Sequence, residues 1–535
     1  MAKRIHKTTT QPMARASPRV LMSGYGDAGA SYKRRALKGF TARSSSPKED
    51  IDFNNQTLRQ RSRMLAMSTP IAKSAINTSR TNVIGLGLKL KSAINHDILG
   101  MTAEQAVEWQ RRVEAEFDLW ANDKRACDAT GMNDFYALQQ LAYSSWLASG
   151  DIFAIIKRKK PTLFYPYSLR IHLVEADRIR TPGMAGWGAF GRAKNGNRIF
   201  DGVEVDDDGA VVAYYVSNQH PYEIGDSAEK TVRVEAYGAK TGLPNIIQVM
   251  ESERPDQYRG VSFLAPVIEP LLQLRRYTDT ELTAANIEAS FAAFVKTNAS
   301  TDSMPFSEVG AGNMYGVPIN EPQTSTSENE YELSPGAINI MQPGEDVVFA
   351  DPKRPSGGFS AFVNAVSAQV GAALEIPADL LLKAFNSSYS AARAALMEAW
   401  KSFKMRRQWF VNDFCKPIYK VWLSEAIALG RISAPGFFTN ALIRNAYLGS
   451  EWVGPAQGML DPTKEIKAEV EAIKHGFSTH EASAVRINGS QWQDNIKQLE
   501  VEYKQMREAG IAIEGESSPI IMANSAKEDD LVVEG

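Results

Sequence analysis

Two cysteines, Cys127 and Cys415, are too few and too far apart in 535 residues for a disulfide framework or a four-ligand zinc site. A reducing cytoplasm suits such a chain best. Among six histidines the nearest pair, His475 and His480, stand five apart across Gly476, off one helical face and out of register for a shared zinc ion. Nowhere do eighteen apolar residues follow one another, so no membrane-spanning helix is expected. No apolar stretch follows the Lys and Arg residues of the N-terminus, so the protein is expected to be soluble and not exported. Neither a Gly-x-x-x-x-Gly-Lys-Ser/Thr phosphate loop nor a Gly-x-Ser-x-Gly elbow occurs. Any work driven by ATP must come from a partner. Charge is nearly balanced, 60 Lys and Arg against 62 Asp and Glu, which excludes a uniformly basic DNA-coating protein but leaves room for patches. One local absence is sharper. From Thr297 to Pro352 there is no Lys, Arg or His, while Asp302, Glu308, Glu321, Glu328, Glu330, Glu332, Glu345, Asp346 and Asp351 are acidic.

What is present reads as a mainly helical α+β chain with several substructures. Residues 1–50 mix eleven Lys and Arg residues with Thr, Ser, Gly and Pro and hold little that could form a core, so a disordered basic arm is expected. From Asn54 the pattern is helical, with Thr69-Pro70 opening a second helix that stops near Gly85-Leu-Gly87. Val107, Val113, Phe117 and Trp120 mark an amphipathic helix over 103–124, and Asn133 or Asp134 caps another that runs to Ala148. Between Asp151 and Val249 the period shifts towards two, with strands expected at 153–156, 170–174, 203–205, 211–216 and 232–234. Asp206-Asp-Asp-Gly209 falls between two of them. Three adjacent carboxylates point alternately to opposite faces of an extended chain, so a hairpin turn ending in Gly is the simpler reading than a metal site.

A long helix is expected from Phe263 to Lys296, rich in Ala in its second half, and a second from Gly358 to Glu375. In the second, Phe359, Phe362, Val363, Val366, Val370 and Leu374 form an apolar stripe; Ala361, Ala365, Ala368 and Ala372 form a row of small side chains that admits a neighbouring helix; Ser360, Asn364, Ser367, Gly371 and Glu375 form a polar face. Pro377 breaks the pattern, Asn386-Ser-Ser388 favours a turn, and Ser390 is expected to cap a long helix that Pro417 kinks. In the acidic segment, Gly310-Ala-Gly-Asn-Met-Tyr-Gly316 lacks the strand and helix that a phosphate-cradling loop requires, and a Gly/Pro/Ser-rich loop pair with short strands is expected instead. After Gly430, Asp461-Pro462 starts a helix that Gly476 ends, Ser478-Thr-His-Glu481 reads as a capping box, and 491–509 supplies a third helix. Beyond Glu514 an acidic, small-residue tail follows.

The stretch SGGFSAFVNAVSAQVGAALEIPADLLLKAFNSSYSAARAALMEAWKSFK, with GEDV before it and RGVSFLAPVIEPLLQLRRYTD upstream, resembles the portal proteins of tailed bacteriophages, specifically the lambda-like family. The resemblance spans about Asn54 to Gly510. It implies a ring, usually of twelve subunits, at one capsid vertex, through which double-stranded DNA is packaged and later ejected. It implies, in order, a wing (51–262), a first stem helix (263–296), an acidic clip (297–357), a second stem helix (358–375), a tunnel loop (376–389), a long wing helix (390–430), a helical crown (431–512) and an acidic tail (513–535). It further implies subunit contacts at Ala361, Ala365, Ala368 and Ala372, and a channel loop presenting Lys383, Asn386, Ser387 and Ser388 to DNA without reading sequence. The clip residues Glu321, Glu328, Glu330 and Glu332 are then expected to dock first the terminase ATPase and later a head–tail adaptor, with major capsid and scaffold proteins as further partners. The expected location is the virion, and the host cytoplasm during assembly. Neither catalytic residues, a cofactor nor a resident metal is expected. Two other readings stay open: a metal-dependent nucleic-acid-processing enzyme using Asp206 to Asp208, and a ring-forming tail or baseplate component, which would lack the acidic insertion between two stem-like helices.

Overall fold

A computed structural model describes residues 35–40, 44–183, 190–221, 223, 230–289, 293–295, 338–340, 358–385, 388–459, 461–490 and 492–509. The backbone N–H of Ser46 donates to the Glu49 carboxylate and that of Glu49 to Ser46 Oγ, a reciprocal pair that opens a helical turn at Lys48–Asp52. Arg254 pins this turn through Asp50 at 2.5 Å.

Helices α1 (Phe53–Ser68) and α2 (Pro70–Val83) follow, then strand β1 (Lys89–Ser92), a single turn α3 (His96–Leu99), α4 (Ala103–Ala121), α5 (Lys124–Cys127) and α6 (Phe135–Ser149). Asp134, not Asn133, caps α6, and Thr102 with Gln105 forms a full capping box on α4. Strands β2 (Asp151–Arg158), β3 (Leu169–Glu175), β4 (Phe190–Arg192), β5 (Arg198–Phe200), β6 (Val203–Val205), β7 (Val211–Ser217), β8 (Thr231–Glu235) and β9 (Ile246–Met250) complete an antiparallel pair of sheets, ordered β3-β2-β9 and β4-β5-β6-β7-β8. The five strands expected from period-two patterning are all there; β9, which pairs with β2 along 151–155, was not expected as a separate strand. Asp206-Asp-Asp-Gly209 is the β6–β7 turn. Asp206 Oδ1 accepts from the backbone of Asp208 and Ala210, and Gly209 sits at φ +84°.

Strand β2 divides two cores by its alternation. Ile152 and Ala154 face the larger one, shared with the helices, while Phe153 and Ile155 face a smaller one between the two sheets. In the larger core Phe117 is fully buried within 5.0–6.1 Å of the ring centroids of Trp120, Phe135, Tyr419, Trp422 and Trp452. Residues 259–263 bind the halves together. Arg259, 0 % exposed, donates to Asp151, Asp201 and the carbonyls of Ala176 and Ile179. Next to it the chains pass so closely that a Cβ on Gly260 would lie 1.9 Å from the Gly150 carbonyl oxygen. Asp52, buried against Asp201, has its carboxyl pushed up to about 7, by desolvation first and by that neighbouring carboxylate second.

After a 3-10 turn at Ala265–Val267, α7 spans Ile268–Ala289, with Pro270 absorbed in its first turn. It does not reach Lys296. Ala293–Val295 is instead strand β10, paired in parallel with β11 (Ile338–Ile340), where Phe and Val replace the run of Ala and a partner strand satisfies the backbone. Helix α8 spans Phe359–Ala373, α9 Ala378–Leu382 and α10 Tyr389–Phe410. Where Pro417 predicts a kink, the helix widens into a π-turn over Val411–Cys415, the Lys416 N–H bonding to the Val411 carbonyl, before α11 (Lys416–Ala428) resumes. The change of character after Gly430 is not a departure from the core. Ile432, Phe437 and Tyr447, the last at the end of α12 (Ala441–Tyr447), are buried in it, and β12 (Ser450–Val453) pairs with β1. Helices α13 (Pro462–Lys474), α14 (His480–Ile487) and α15 (Trp492–Glu508) end the described chain. Thr479 caps α14 in place of Ser478, freeing Glu481 to bind Lys91 Nζ at 2.6 Å and the Trp492 N–H. Among the described residues no helix is long and apolar enough to cross a membrane.

Candidate subunit interface and channel loop

Helices α7 and α8 pack through Tyr277, whose ring lies 4.6 Å from Phe362 and 5.7 Å from Phe359. The face of small residues turns away from this contact. Ala361, Ala365, Ala368 and Ala372 are all exposed, whereas Ser367 and Gly371, expected on a polar face, are buried. The reason is the chain reversal after α8. Glu375 enters the left-handed region at φ +55°, and the chain folds back so tightly that a Cβ on Gly371 would stand 2.4 Å from the Ile376 carbonyl oxygen. Arg406 holds this reversal through Glu375 at 2.9 Å, and Ser402 donates to the same carboxylate. Ala368 and Ala372 become one wall of an open groove of about 610 Å³, with Ala395, Ala399 and Met405 of α10 opposite.

The loop from Pro377 to Tyr389 is anchored at one end. Leu381 is buried, its carbonyl accepts from Ser74 Oγ on α2, and Lys383 caps α9 at φ +56°. Lys383 is exposed, and its Nζ donates to Thr78 Oγ1 at 2.8 Å. The free side of the loop carries Phe385, 62 % exposed. Ser388 serves α10 as N-cap, accepting from the Ala391 N–H, so Ser390, expected as the cap, lies inside the helix. Asn386 and Ser387 fall outside the described residues, as do Glu321, Glu328, Glu330 and Glu332. Strand β10 ends just before the acidic segment, and β11 lies within it.

Sequence spacing did not point to Thr78, Ser74 or the Glu375–Arg406 pair, because each joins segments tens or hundreds of residues apart. Gly371 was the available signal, a lone glycine inside an otherwise continuous helical pattern.

Asp206 is spent on its turn, and Asp207 and Asp208 are exposed on it. Glu175, Asp177 and His220 do converge, His220 Nε2 lying 3.9 and 3.8 Å from the two carboxylates. However, Arg59 and Arg63 reach Asp177 at 3.4 and 2.5 Å and hold its carboxyl below the usual range, so positive charge already occupies that corner. His480 stacks on Trp492 at 5.3 Å and takes no part with His475. A cleft of about 700 Å³ between β9 and the π-turn contains Asp413, its carboxyl pushed up to about 6 by burial, together with Lys416 and Lys420.

The family described as phage portal protein, lambda family, matches residues 33–407. Portal protein B of Escherichia phage lambda is 25% identical over 461 residues, covering 84% of this chain and 83% of that one. The portal protein of Escherichia phage N15 is 24% identical over 501 residues, covering 91% of each. Among solved structures, the neck of a native gene transfer agent particle computed with C12 symmetry aligns over 81% of this chain and 92% of that one, at 14% identity and a TM-score of 0.36.

Proposed function

This chain belongs to the lambda family of phage portal proteins, and from that premise we propose that twelve copies form a ring at one capsid vertex, conducting double-stranded DNA inward during packaging and outward at ejection. The observation that carries this reading is the family match across residues 33–407, which takes in α7, α8 and the acidic segment between them. The role is structural: the channel must hold DNA loosely, since each phosphate neutralised releases counterions and tightens binding. A mostly neutral or acidic path favours sliding. Electron microscopy of the purified protein tests the reading directly. Annular particles with an open axial channel are expected; monomers that cleave DNA with magnesium would replace it with the enzyme reading.

Within the ring, the loop at Pro377–Tyr389 lines the channel, and Lys383 is its one cation. The bond to Thr78 uses one of three ammonium protons and leaves the others for phosphate. Lys383→Asn is the clean variant, because Asn tolerates the left-handed backbone found there. Rings should assemble normally, while filled heads lose DNA most as salt is raised and the remaining attraction is screened. Equal DNA content in variant and parent heads at every ionic strength would leave the loop a steric role only.

Glu321, Glu328, Glu330 and Glu332 belong to the surface that meets the terminase motor and then the head–tail adaptor; capsid and scaffold proteins contact the ring elsewhere. Acidic contacts of this kind act chiefly on association rate. Replacing Glu328, Glu330 and Glu332 with Gln should therefore slow motor binding several-fold at low salt and leave rings intact. Identical association rates across a salt series would remove these residues from the surface.

A further inference from the structure

One stretch of the chain carries charge of one sign only. From Ile152 to Val174 there is no Asp or Glu, against Lys157, Arg158, Lys159, Lys160 and the buried Arg170. The stretch is the β2–β3 hairpin, and its tip is ordered. The Lys159 N–H donates to the Ser168 carbonyl, and Thr162 and Tyr165 exchange backbone hydrogen bonds at 2.9 and 3.1 Å. That leaves Leu163 and Phe164 as a two-residue turn, 93 % and 84 % exposed. Such turns ordinarily take Asn, Asp or Gly, and a Leu-Phe pair there gains nothing from its own fold. Glu425 of α11 fixes the base of the tip, pairing with Arg158 at 2.5 Å and accepting the Ser168 and Leu169 N–H groups.

The ammonium groups behind this apex are uncompensated. Glu425 neutralises Arg158, whereas Lys157, Lys159 and Lys160 are exposed and make no ion pair among the described residues. Three acids beside the hairpin are already engaged: Asp123 and Asp134, in the hollow next to Tyr165, cap α5 and α6 beside Lys124 and Arg125, and Glu116 is held by Arg431 and Tyr167. His172 responds to the excess. Burial first, then the charges of Arg178 and Lys157, hold its imidazole below the usual range. The hairpin thus offers an ordered apolar point backed by three unpaired cations.

Its distance from the channel loop follows from Glu425. Helix α10, the π-turn and α11 run without a break from Tyr389, where that loop ends, to Ala428, and at 1.5 Å per residue Glu425 lies up to about 50 Å from the loop. A duplex leaning on the tip would meet the lysines but leave Leu163 and Phe164 wet unless its bases unstacked. A protein pocket covers both. We propose that this long helix runs outward from the channel and that the hairpin at its far end docks each subunit on the protein shell around the ring, Leu163 and Phe164 entering an apolar pocket whose rim carboxylates meet Lys157, Lys159 and Lys160. The proposal rests on the ring reading above and names the surface of the ring that the capsid meets.

The test uses full-length protein produced with the capsid shell protein encoded beside it, with p-benzoylphenylalanine in place of Phe164. Irradiated heads should yield a covalent adduct that mass spectrometry assigns to the shell protein, and purified rings should yield none. An adduct with a neighbouring subunit, with DNA or with scaffold, or no adduct in heads, would overturn the docking site and spare the ring reading. Two further variants report on assembly. Leu163→Ser/Phe164→Ser and Lys157→Gln/Lys159→Gln/Lys160→Gln should form rings like the parent, because all five side chains are exposed in the subunit. Entry of those rings into heads should fall about tenfold or more, as expected when an interface anchor is truncated. Unchanged entry for either variant would overturn the docking site; absence of rings in the parent protein would overturn the ring reading with it.

Discussion

Arg259→Leu is expected to cost about 3–5 kcal/mol, because removing one partner of a buried ion pair strands the other in low dielectric. Arg259 is fully buried, and Asp151, its bidentate partner at 2.6 and 3.2 Å, is fully buried too. Arg59 stands 3.6 Å from Asp151 and can relieve only part of the uncompensated charge. The carbonyls of Ala176 and Ile179 would lose their donor as well, and these hold the segment that joins the two sheets. Denaturant unfolding followed by tryptophan fluorescence measures the loss. The double variant Arg259→Leu/Asp151→Leu should be less unstable than the sum of the single changes, since it buries no unpaired charge. A loss below about 1 kcal/mol for Arg259→Leu would mean that the network is not the fastening it is taken to be.

Ala365→Leu/Ala368→Leu is expected to prevent or shorten ring assembly while leaving the isolated subunit folded. Both alanines are exposed in the single chain, so larger side chains meet no internal neighbour along most of α8. In the ring, overpacking a close helix contact costs roughly 1–3 kcal/mol for each pair of subunits. Every subunit carries the same two changes, and the cost recurs at every contact. Size-exclusion chromatography and microscopy should show monomers or incomplete arcs, with unchanged circular dichroism. Normal rings would place the interface on another face. Ala368 adds a second readout, because it walls the groove against α10 and Leu there would narrow it.

The helices and strands of this fold were legible wherever the signal is local. Period-two runs gave β2, β3, β6, β7 and β8, and the Asp-Pro start and glycine stop gave α13. Errors fell where local preference is weak or contested. Ala-rich sequence was read as helix through Lys296, but aromatic and β-branched residues with a partner strand 40-odd positions later favour β10. Ser390 and Ser388 are equally good caps by type. The backbone at Ser388 is extended, at ψ 155°, and that conformation lets its hydroxyl reach the Ala391 N–H.

The sequence by itself determined the main helices and five of the strands, the apolar stripe and the row of small residues on α8, the acidic block without a single cation, and family membership, because each depends on residue type and spacing along the chain. Which stripe meets its own chain was decided only in three dimensions. Ser367 and Gly371 are covered because residues 375–378 fold back over them, and the alanines beside them are left open for the same reason. Arg259 has no neighbour in sequence that marks it; its partners lie at 151, 176, 179 and 201, and only the crossing of β2 by the chain at Gly150 and Gly260 brings them within reach. Lys383 reads as a free loop cation until α2 supplies Thr78. Burial and pairing are properties of contacts closed over long stretches of chain, and periodicity, which reports one helix or strand at a time, carries no information about them.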